Sequence, residues 1–276
     1  LHYRNKSQYP VGADGAIGFY RARSHQVVPV KRCLIQPEAA DKTAAAVGEW
    51  MRRYKVPAYD EATGKGLVRH VYVRVNRKGE SLCCVVINGR QAPREPELAA
   101  YVCAAVPHTA GVLVNSNTKR GNVILGEKYR TLWGRDYLMD TLCGLEFKLS
   151  VPSFYQVNRD QAEALYGKAL DYAGLTGRET VLDLYCGIGT ITLCLAKRAG
   201  RVIGAEIVPA AIRDAKENAA RNHIENAEFF CGDAAETAAR LEAEGLRPDV
   251  ITVDPPRKGL APEVIGSIAA MGPERV

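Results

Sequence analysis

Hydrophobic and polar residues alternate in the first half of the chain with the period of two that marks strands, interrupted by stretches with a helical period. Tyr3 to Tyr9 and Gly15 to Tyr20 read as strands around the turn Gly12-Ala13-Asp14-Gly15, where glycine supplies the positive φ such turns need. Leu67 to Val75 alternates and turns through Arg77-Lys78-Gly79-Glu80 into Leu82 to Ile87, the pattern of a hairpin. Helices are expected from Glu38 to Tyr54 and from Glu95 to Ala105, with further short strands through Phe147. The first half therefore predicts an α+β, mostly antiparallel domain.

The rhythm changes at Asn158. That residue is placed to cap a helix running to about Tyr172, with Gln161 three residues on as its capping-box partner. Strand candidates Thr180 to Leu184, Val202 to Glu206, Ala227 to Phe230 and Asp249 to Val253 are each followed by a helical pattern. This is the signature of an α/β fold, a Rossmann-like, doubly wound parallel sheet. Ligands of such sheets sit beyond the carboxyl ends of the strands, so chemistry is expected in the residues that follow each strand.

Length and composition agree with two domains, 1–157 and 158–276. The 276 residues, 47% hydrophobic and 25% charged, suffice for two cores, and no internal repeat or low-complexity tract is present. No run approaches the roughly 20 apolar residues that span a bilayer, and there is no signal-peptide pattern. A cytoplasmic protein with no membrane partner is expected. The sequence begins at Leu1 rather than Met, so upstream residues are expected as well.

Charge is divided unevenly between the halves. Residues 1–157 hold 23 Lys and Arg against 13 Asp and Glu, a net of +10; residues 158–276 hold 14 against 18, a net of −4. A basic domain suits a polyanion, because Lys and Arg that neutralise phosphates release counterions and bind nucleic acid without reading its sequence. A solubilising surface is the alternative. The eight cysteines are scattered through apolar patterns without C-x-x-C spacing, which suits small buried hydrophobes better than disulfides. Cys33 differs, closing the stretch Val30-Lys31-Arg32.

Each strand of the second half ends in a candidate ligand group. The first leads into Asp183-Leu184-Tyr185-Cys186-Gly187-Ile188-Gly189-Thr190, a turn whose glycines let a ligand approach the backbone at a helix N-terminus, or which simply joins strand to helix. It lacks the third glycine of the dinucleotide fingerprint, which disfavours a nicotinamide oxidoreductase. Glu206 ends the second strand, roughly 20 residues on, where a carboxylate can accept both ribose hydroxyls of a nucleoside. The third ends in Cys231-Gly232-Asp233; Asp233 can take an adenine amino group, cap the next helix, or do both. The fourth delivers Asp254-Pro255-Pro256-Arg257-Lys258-Gly259, the most specific signal in the chain. Two prolines fix φ and remove two donors, making a rigid elbow that aims Asp254 into a cleft, and Arg257-Lys258 can meet a phosphate. Ahead of the sheet, Ser153-Phe154-Tyr155-Gln156-Val157-Asn158 offers rings and an amide, either as core or to hold a base lifted from an RNA helix.

Together with Tyr3-Arg4-Asn5-Lys6 and Gly18-Phe19-Tyr20, these stretches resemble the RNA uracil-5-methyltransferase family of the RumA and TrmA type, in particular its 23S rRNA members from Gram-positive bacteria. The resemblance runs essentially the whole length and implies a class I S-adenosylmethionine (SAM) methyltransferase. It implies that Gln156, Tyr185, Glu206 and Asp254 contact SAM, with Gly187 and Gly189 in the cofactor turn and Thr190 and Asp233 as further candidates. Phe154, Gln156 and Asp254 would border the target uracil. Cys33 would be the fourth ligand of a 4Fe-4S cluster whose other three cysteines lie upstream of Leu1. The family's nucleophile is the Cys of a Ser-Cys-Asn/Asp-Pro motif after a fifth strand, and the sequence stops at Arg275-Val276, where that strand is expected to begin. A C-terminally incomplete methyltransferase domain is therefore expected, one that binds SAM weakly and does not methylate by itself.

The resemblance also implies the chemistry. A thiolate adds to uracil C6, C5 takes the methyl group and loses its proton to a base, and the thiol leaves. Cys186 is the one cysteine in the cofactor turn, and the resemblance makes it a packing residue. The partner is expected to be 23S rRNA, with tRNA as the alternative substrate and a noncatalytic RNA-binding fragment as the alternative of another class. DNA is not expected as a partner, and the protein is expected to be a monomer. Arg257, where amino-group methyltransferases favour an aromatic residue, argues against N-methylation of adenine.

Overall fold

The computed structural model describes residues 1–276 and divides into two compact units. The first holds residues 1–140, 150–152 and 157–159; the second holds 141–149, 153–156 and 160–276. The sequence pattern placed a single boundary at 157/158, whereas the two units interleave between residues 140 and 160.

In chain order the elements are β1 (Lys6–Pro10), β2 (Gly18–Tyr20), β3 (Val27–Pro29), α1 (Glu38–Arg53), β4 (Val68–Val75), β5 (Ser81–Ile87), α2 (Glu95–Ala105), β6 (Thr109–Ser116), β7 (Lys128–Gly134), β8 (Tyr137–Leu142) and β9 (Leu145–Ser150). There follow α3 (Arg159–Ala173), β10 (Thr180–Leu184), α4 (Thr190–Ala196), β11 (Arg201–Glu206), α5 (Pro209–Arg221), β12 (Ala227–Cys231), α6 (Ala234–Ala243), β13 (Val250–Val253) and α7 (Pro262–Met271).

The first unit is built on a five-stranded sheet in the order β1-β4-β5-β6-β7, antiparallel except for β5 and β6, which the α2 crossover makes parallel. Period-two alternation sorts its side chains: Val71, Val73, Cys83, Val85 and Ile87 pack with Trp50 and Leu98 in one core, while Tyr72, Leu82 and Cys84 join Leu113, Leu138 and Val151 in another. Both faces are therefore covered, and the positions that read as polar in β4 are buried too. Arg69 donates from Nη1 to the carbonyls of Asn117 and Lys119, each at 2.8 Å, and Arg74 donates to the Val151 carbonyl.

The expected hairpin of β4 and β5 is present. The expected pairing of Tyr3–Tyr9 with Gly15–Tyr20 is not: β1 pairs with β4, β2 pairs with β3, and a single Val11–Ile17 bridge spans the glycine turn. Gly18 explains the β2–β3 choice, since a Cβ there would lie 1.8 Å from the Val28 carbonyl oxygen.

The second unit carries the parallel sheet, in the order β12-β11-β10-β13. Val181 and Val202 face α3, α4 and α5, while Leu182, Leu184, Ile203, Ala205 and Ile251 face α6 and α7, giving the three layers that a parallel sheet needs to bury both faces. The strand order reverses at β10, where the chain returns from β12 to place β13 on the other side. That reversal is the switch point at which such sheets bind ligands. Beyond β13, the Ile251 amide donates to the Arg275 carbonyl at 3.0 Å and the Glu274 amide to the Asp249 carbonyl at 3.0 Å. No helix is long and apolar enough to cross a membrane.

Candidate active site

A cavity of about 530 Å³ opens at the carboxyl ends of the four parallel strands. It brings together Phe154, Gln156, Tyr185, Gly187, Glu206, Asp233 and Asp254, residues separated by up to 100 positions in sequence. Three carboxylates face one lysine, Lys258, across this space, so the cavity favours a cationic ligand.

Each strand end is shaped locally. After β10 the chain makes a sharp reversal with Tyr185 at φ 69°, a left-handed conformation that non-glycine residues rarely adopt and that concentrates at functional sites. The turn is pinned by the Cys186 amide donating to the Ala205 carbonyl at 3.0 Å and the Gly189 amide donating to the Cys186 carbonyl at 2.9 Å. Glu206 is fixed in turn: its carboxylate accepts from the Gly187 amide at 3.2 Å and the Val208 amide at 2.9 Å. Asp233 caps α6, and both cap bonds, from the amides of Ala235 (2.8 Å) and Glu236 (3.4 Å), go to the same oxygen, Oδ1. Asp254 heads the Pro255-Pro256 elbow, which closes with the Gly259 amide donating to the Pro256 carbonyl at 2.8 Å.

The segment before α3 supplies the remaining wall. Tyr155 is buried against Phe147, with ring centroids 6.5 Å apart, and the Ser153 hydroxyl donates to Asp214 on α5 at 3.1 Å. With Tyr155 turned into the core, its neighbours Phe154 and Gln156 line the cavity, and Phe154 is 64% exposed.

Beneath the cavity floor, the fully buried Asp183 accepts from the hydroxyls of Thr192 on α4 and Thr252 on β13. Burial raises its carboxyl to about 7, and the nearby carboxylates of Asp254 and Glu206 push the same way against the two threonine bonds. Asp183 does not line the cavity; it ties α4 to β13 under it.

The comparisons bear on this arrangement. A methyltransferase-domain family model matches residues 175–267, the stretch that contains all four strand ends. An uncharacterized RNA methyltransferase of Halalkalibacterium halodurans is 45% identical over 278 residues, covering 99% of this chain and 61% of the relative. One from Clostridium acetobutylicum is 42% identical, covering 99% of this chain and 60% of the relative. The chain is similar to these RNA methyltransferases over nearly its whole length.

It spans about six-tenths of the length of the curated relatives it matches. Among solved structures, the tRNA (uracil-54, C5)-methyltransferase of Pyrococcus abyssi in complex with S-adenosyl-L-homocysteine superposes with a TM-score of 0.82 at 23% identity, covering 99% of this chain and 64% of that one. The fold is that of a SAM-dependent methyltransferase preceded by a basic α+β unit.

The other expected site residues lie apart from the cavity. Gly189 is buried at φ 82°, where a Cβ would sit 3.3 Å from Ala215 and Phe229, and Thr190 places its hydroxyl 3.0 Å from that of Tyr166. Both shape the turn rather than line it. Cys186 is buried beside Gly204, and burial pushes its thiol well above the ordinary cysteine range, so it is a packing group and not a thiolate. Cys33 stands near Asp41, whose Oδ2 accepts from its backbone amide at 2.9 Å. A four-iron cluster takes four thiolates, and no group of three metal-ligating side chains forms in this chain, so the residues present do not complete such a site.

Apolar lining residues escaped the sequence reading. Ile207, 59% exposed, follows Glu206 directly and gives the cavity an apolar wall, and Ala261 and Val264 of the α7 start add to it. An apolar residue immediately after a strand-end carboxylate was the available signal. Of the pair Arg257-Lys258, only Lys258 lines the cavity.

Proposed function

We propose that the second unit binds SAM and serves an enzyme that methylates C5 of uracil in RNA. The observation that carries this reading is the single cavity shared by Gln156, Glu206, Asp233 and Asp254. Its groups suit such a ligand: Glu206 accepts from ribose hydroxyls, Asp233 from an adenine amino group, and Ile207 offers an apolar surface to the adenine ring. The excess of carboxylates favours the positive charges of the sulfonium and the ammonium. Bound SAM supplies the methyl group.

Phe154, exposed at the rim, offers a face on which a flipped base can stack, and Gln156 and Asp254 offer hydrogen bonds to its edge. Asp254 positions uracil and responds to charge developing on its carbonyl as C5 becomes enolate-like; it does not attack. Uracil C5 is a weak nucleophile, so a thiolate must first add at C6. No cysteine lines the cavity and Cys186 is packed away as a thiol, so in this reading the nucleophile comes from sequence beyond these 276 residues. The chain alone then binds SAM weakly and transfers no methyl group.

The preferred substrate is 23S rRNA, on the resemblance of the motifs; the named activity of the Pyrococcus abyssi neighbour favours tRNA as the second reading. Labelled SAM with unmodified 23S rRNA and tRNA, offered separately, tests both. A version extended downstream to the relatives' full length is expected to label uracil C5 in rRNA, and the 276-residue chain neither RNA. Transfer by the 276-residue chain would overturn the mechanism, and transfer to tRNA alone would exchange the substrate.

A further inference from the structure

The basic unit has a second cavity, of about 440 Å³, that shares no residue with the methyltransferase cavity. Its walls include the rings of Tyr20, His25 and Tyr59, the cation of Arg69, and the imidazole of His70. Val11, Ala13, Val27 and Ala62 supply apolar surface between them.

The polar groups are organised from several elements. Arg69 and His70 come from the start of β4 and Tyr20 from the end of β2, while Tyr59 to Ala62 precede β4. The Arg69 guanidinium stacks over Tyr59 at 4.5 Å and is held there by the Asn117 and Lys119 carbonyls. Glu61 receives the Tyr20 hydroxyl at 3.4 Å and His25 Nδ1 at 2.6 Å, and the Tyr20 and His25 rings lie 5.3 Å apart. These contacts fix the rings and the guanidinium in the cavity wall. His70 is 7% exposed, and its Nδ1 is buried without a hydrogen-bond partner. Buried polar atoms are almost always paired, so this nitrogen is an exception among the residues of the cavity wall.

The charges decide what enters. Asp60 and Glu61 outnumber Arg69, the one arginine of the wall, and repel a phosphate, whereas Arg21 and Arg23 are exposed on the tight turn that joins β2 to β3 between Tyr20 and His25. Acceptors and rings inside with arginines at the rim match one base within and its phosphates without. Burial, reinforced by Arg69, holds His70 down to about 4, so the ring is neutral at pH 7 and does not add a repelling charge to the cavity.

We infer that this cavity takes one unpaired nucleobase of an RNA, stacked against Tyr20 and His25, with Arg21 and Arg23 on the flanking phosphates. The assignment rests on RNA being the substrate proposed above, and it adds a second point of attachment away from the methyl-transfer cavity. An adenine suits the cavity, because its exocyclic amine meets the acceptors of Glu61 and Asp60 while its ring stacks.

Fluorescence anisotropy with a labelled single-stranded A12 RNA tests the site on the 276-residue chain. Tyr20→Ala with His25→Ala is expected to weaken binding about 5- to 100-fold with the salt dependence unchanged, the loss of one stacked base. Arg21→Ala with Arg23→Ala is expected to reduce the slope of log affinity against log salt by about 1.4, two single-strand phosphates. Ultraviolet cross-linking of the unsubstituted chain to A12 is expected to mark Tyr20 or Tyr59, which needs no variant to fold. If the chain binds no RNA at any salt concentration, the RNA reading and this site fall together. If it binds A12 but the Tyr20 and His25 substitutions leave affinity unchanged, or cross-links map only to other residues, this site alone is overturned.

Discussion

The two sheets bury both faces, yet they handle polar groups in opposite ways. In the second unit the buried positions of the parallel strands are apolar apart from Asp183, and the polar groups that line the cavity, Glu206, Asp233 and Asp254, stand where the strands end. In the first unit polar groups lie inside strand β4 itself, where Arg69, His70 and Arg74 are buried. A parallel sheet thus separates the groups that hold the fold from those that meet a ligand; the first unit mixes them. Substitutions in the second unit's cavity are accordingly expected to change binding with little change in stability, whereas a large stability loss should follow only from the cores.

The largest expected effect sets the scale of that separation. Trp50 on α1 is fully buried, and its indole donates to the Arg94 carbonyl at 3.1 Å. Trp50→Ala is expected to destabilise the chain by about 3–5 kcal/mol, measured as a shift in denaturation midpoint. Glu206→Ala comes next and should act on the other quantity. Removing the carboxylate proposed to accept the ribose hydroxyls is expected to weaken SAM binding by about 1.5–3 kcal/mol, roughly 10- to 100-fold in a calorimetric titration. Its effect on stability, from losing the bonds to the Gly187 and Val208 amides, should stay at about 1 kcal/mol, well below that of Trp50→Ala. A Glu206→Ala chain that unfolds as readily as Trp50→Ala would break the contrast between the units.

Legibility followed the same division. The parallel sheet could be read because each βα unit is local: β10 to β13 lie within two residues of the expected strands, and all four strand-end groups named in advance sit in one cavity. Ile207 was missed because its one signal, an apolar residue following a strand-end carboxylate, fits a surface position as well as a cavity wall. In the first unit the partners are distant. The β1 strand pairs with β4 some 60 residues on, and the carbonyls that hold Arg69 belong to residues 117 and 119, so period-two alternation gave strands but not their neighbours. Alternation likewise gave no sign that Arg69 and Arg74 are both buried. They are buried because carbonyl acceptors and the rings of Tyr59 and Tyr72 meet them.

Acidity sharpens the comparison, since each unit buries a group shifted into the range from about 4 to about 7 and the two respond with opposite sign. Asp183 is raised to about 7 by burial, so the native state holds its proton where the unfolded chain has lost it. Its contribution is fully present below pH 4 and is lost as pH rises toward 7. His70 is lowered to about 4 by burial, so the unfolded chain binds the proton first; stability is present above pH 6.5 and lost as pH falls toward 4. Each group changes stability by at most about 1.4 kcal/mol per pH unit. Asp183→Asn, which keeps partners for both threonines, is expected to gain on the unsubstituted chain from pH 4 to 7, and His70→Gln to gain from pH 6.5 down to 4. Thermal melts at several pH values check both, and differences of the same sign would refute the assignment.

Asp233 is where the second unit does mix fold and ligand, and its effect is the smallest. Both cap bonds of α6 go to Oδ1, so one oxygen holds the helix while the carboxylate also lines the cavity. The two duties separate by substitution because a serine hydroxyl can cap a helix but carries no charge. Asp233→Ala is expected to lose about 1 kcal/mol of stability, and Asp233→Ser only a few tenths. Against SAM the two should behave alike, since both lack the carboxylate that would take the adenine amine. If Asp233→Ser instead binds SAM as the unsubstituted chain does, the residue's only duty is the cap, and the adenine end of the site must be held by groups other than Asp233.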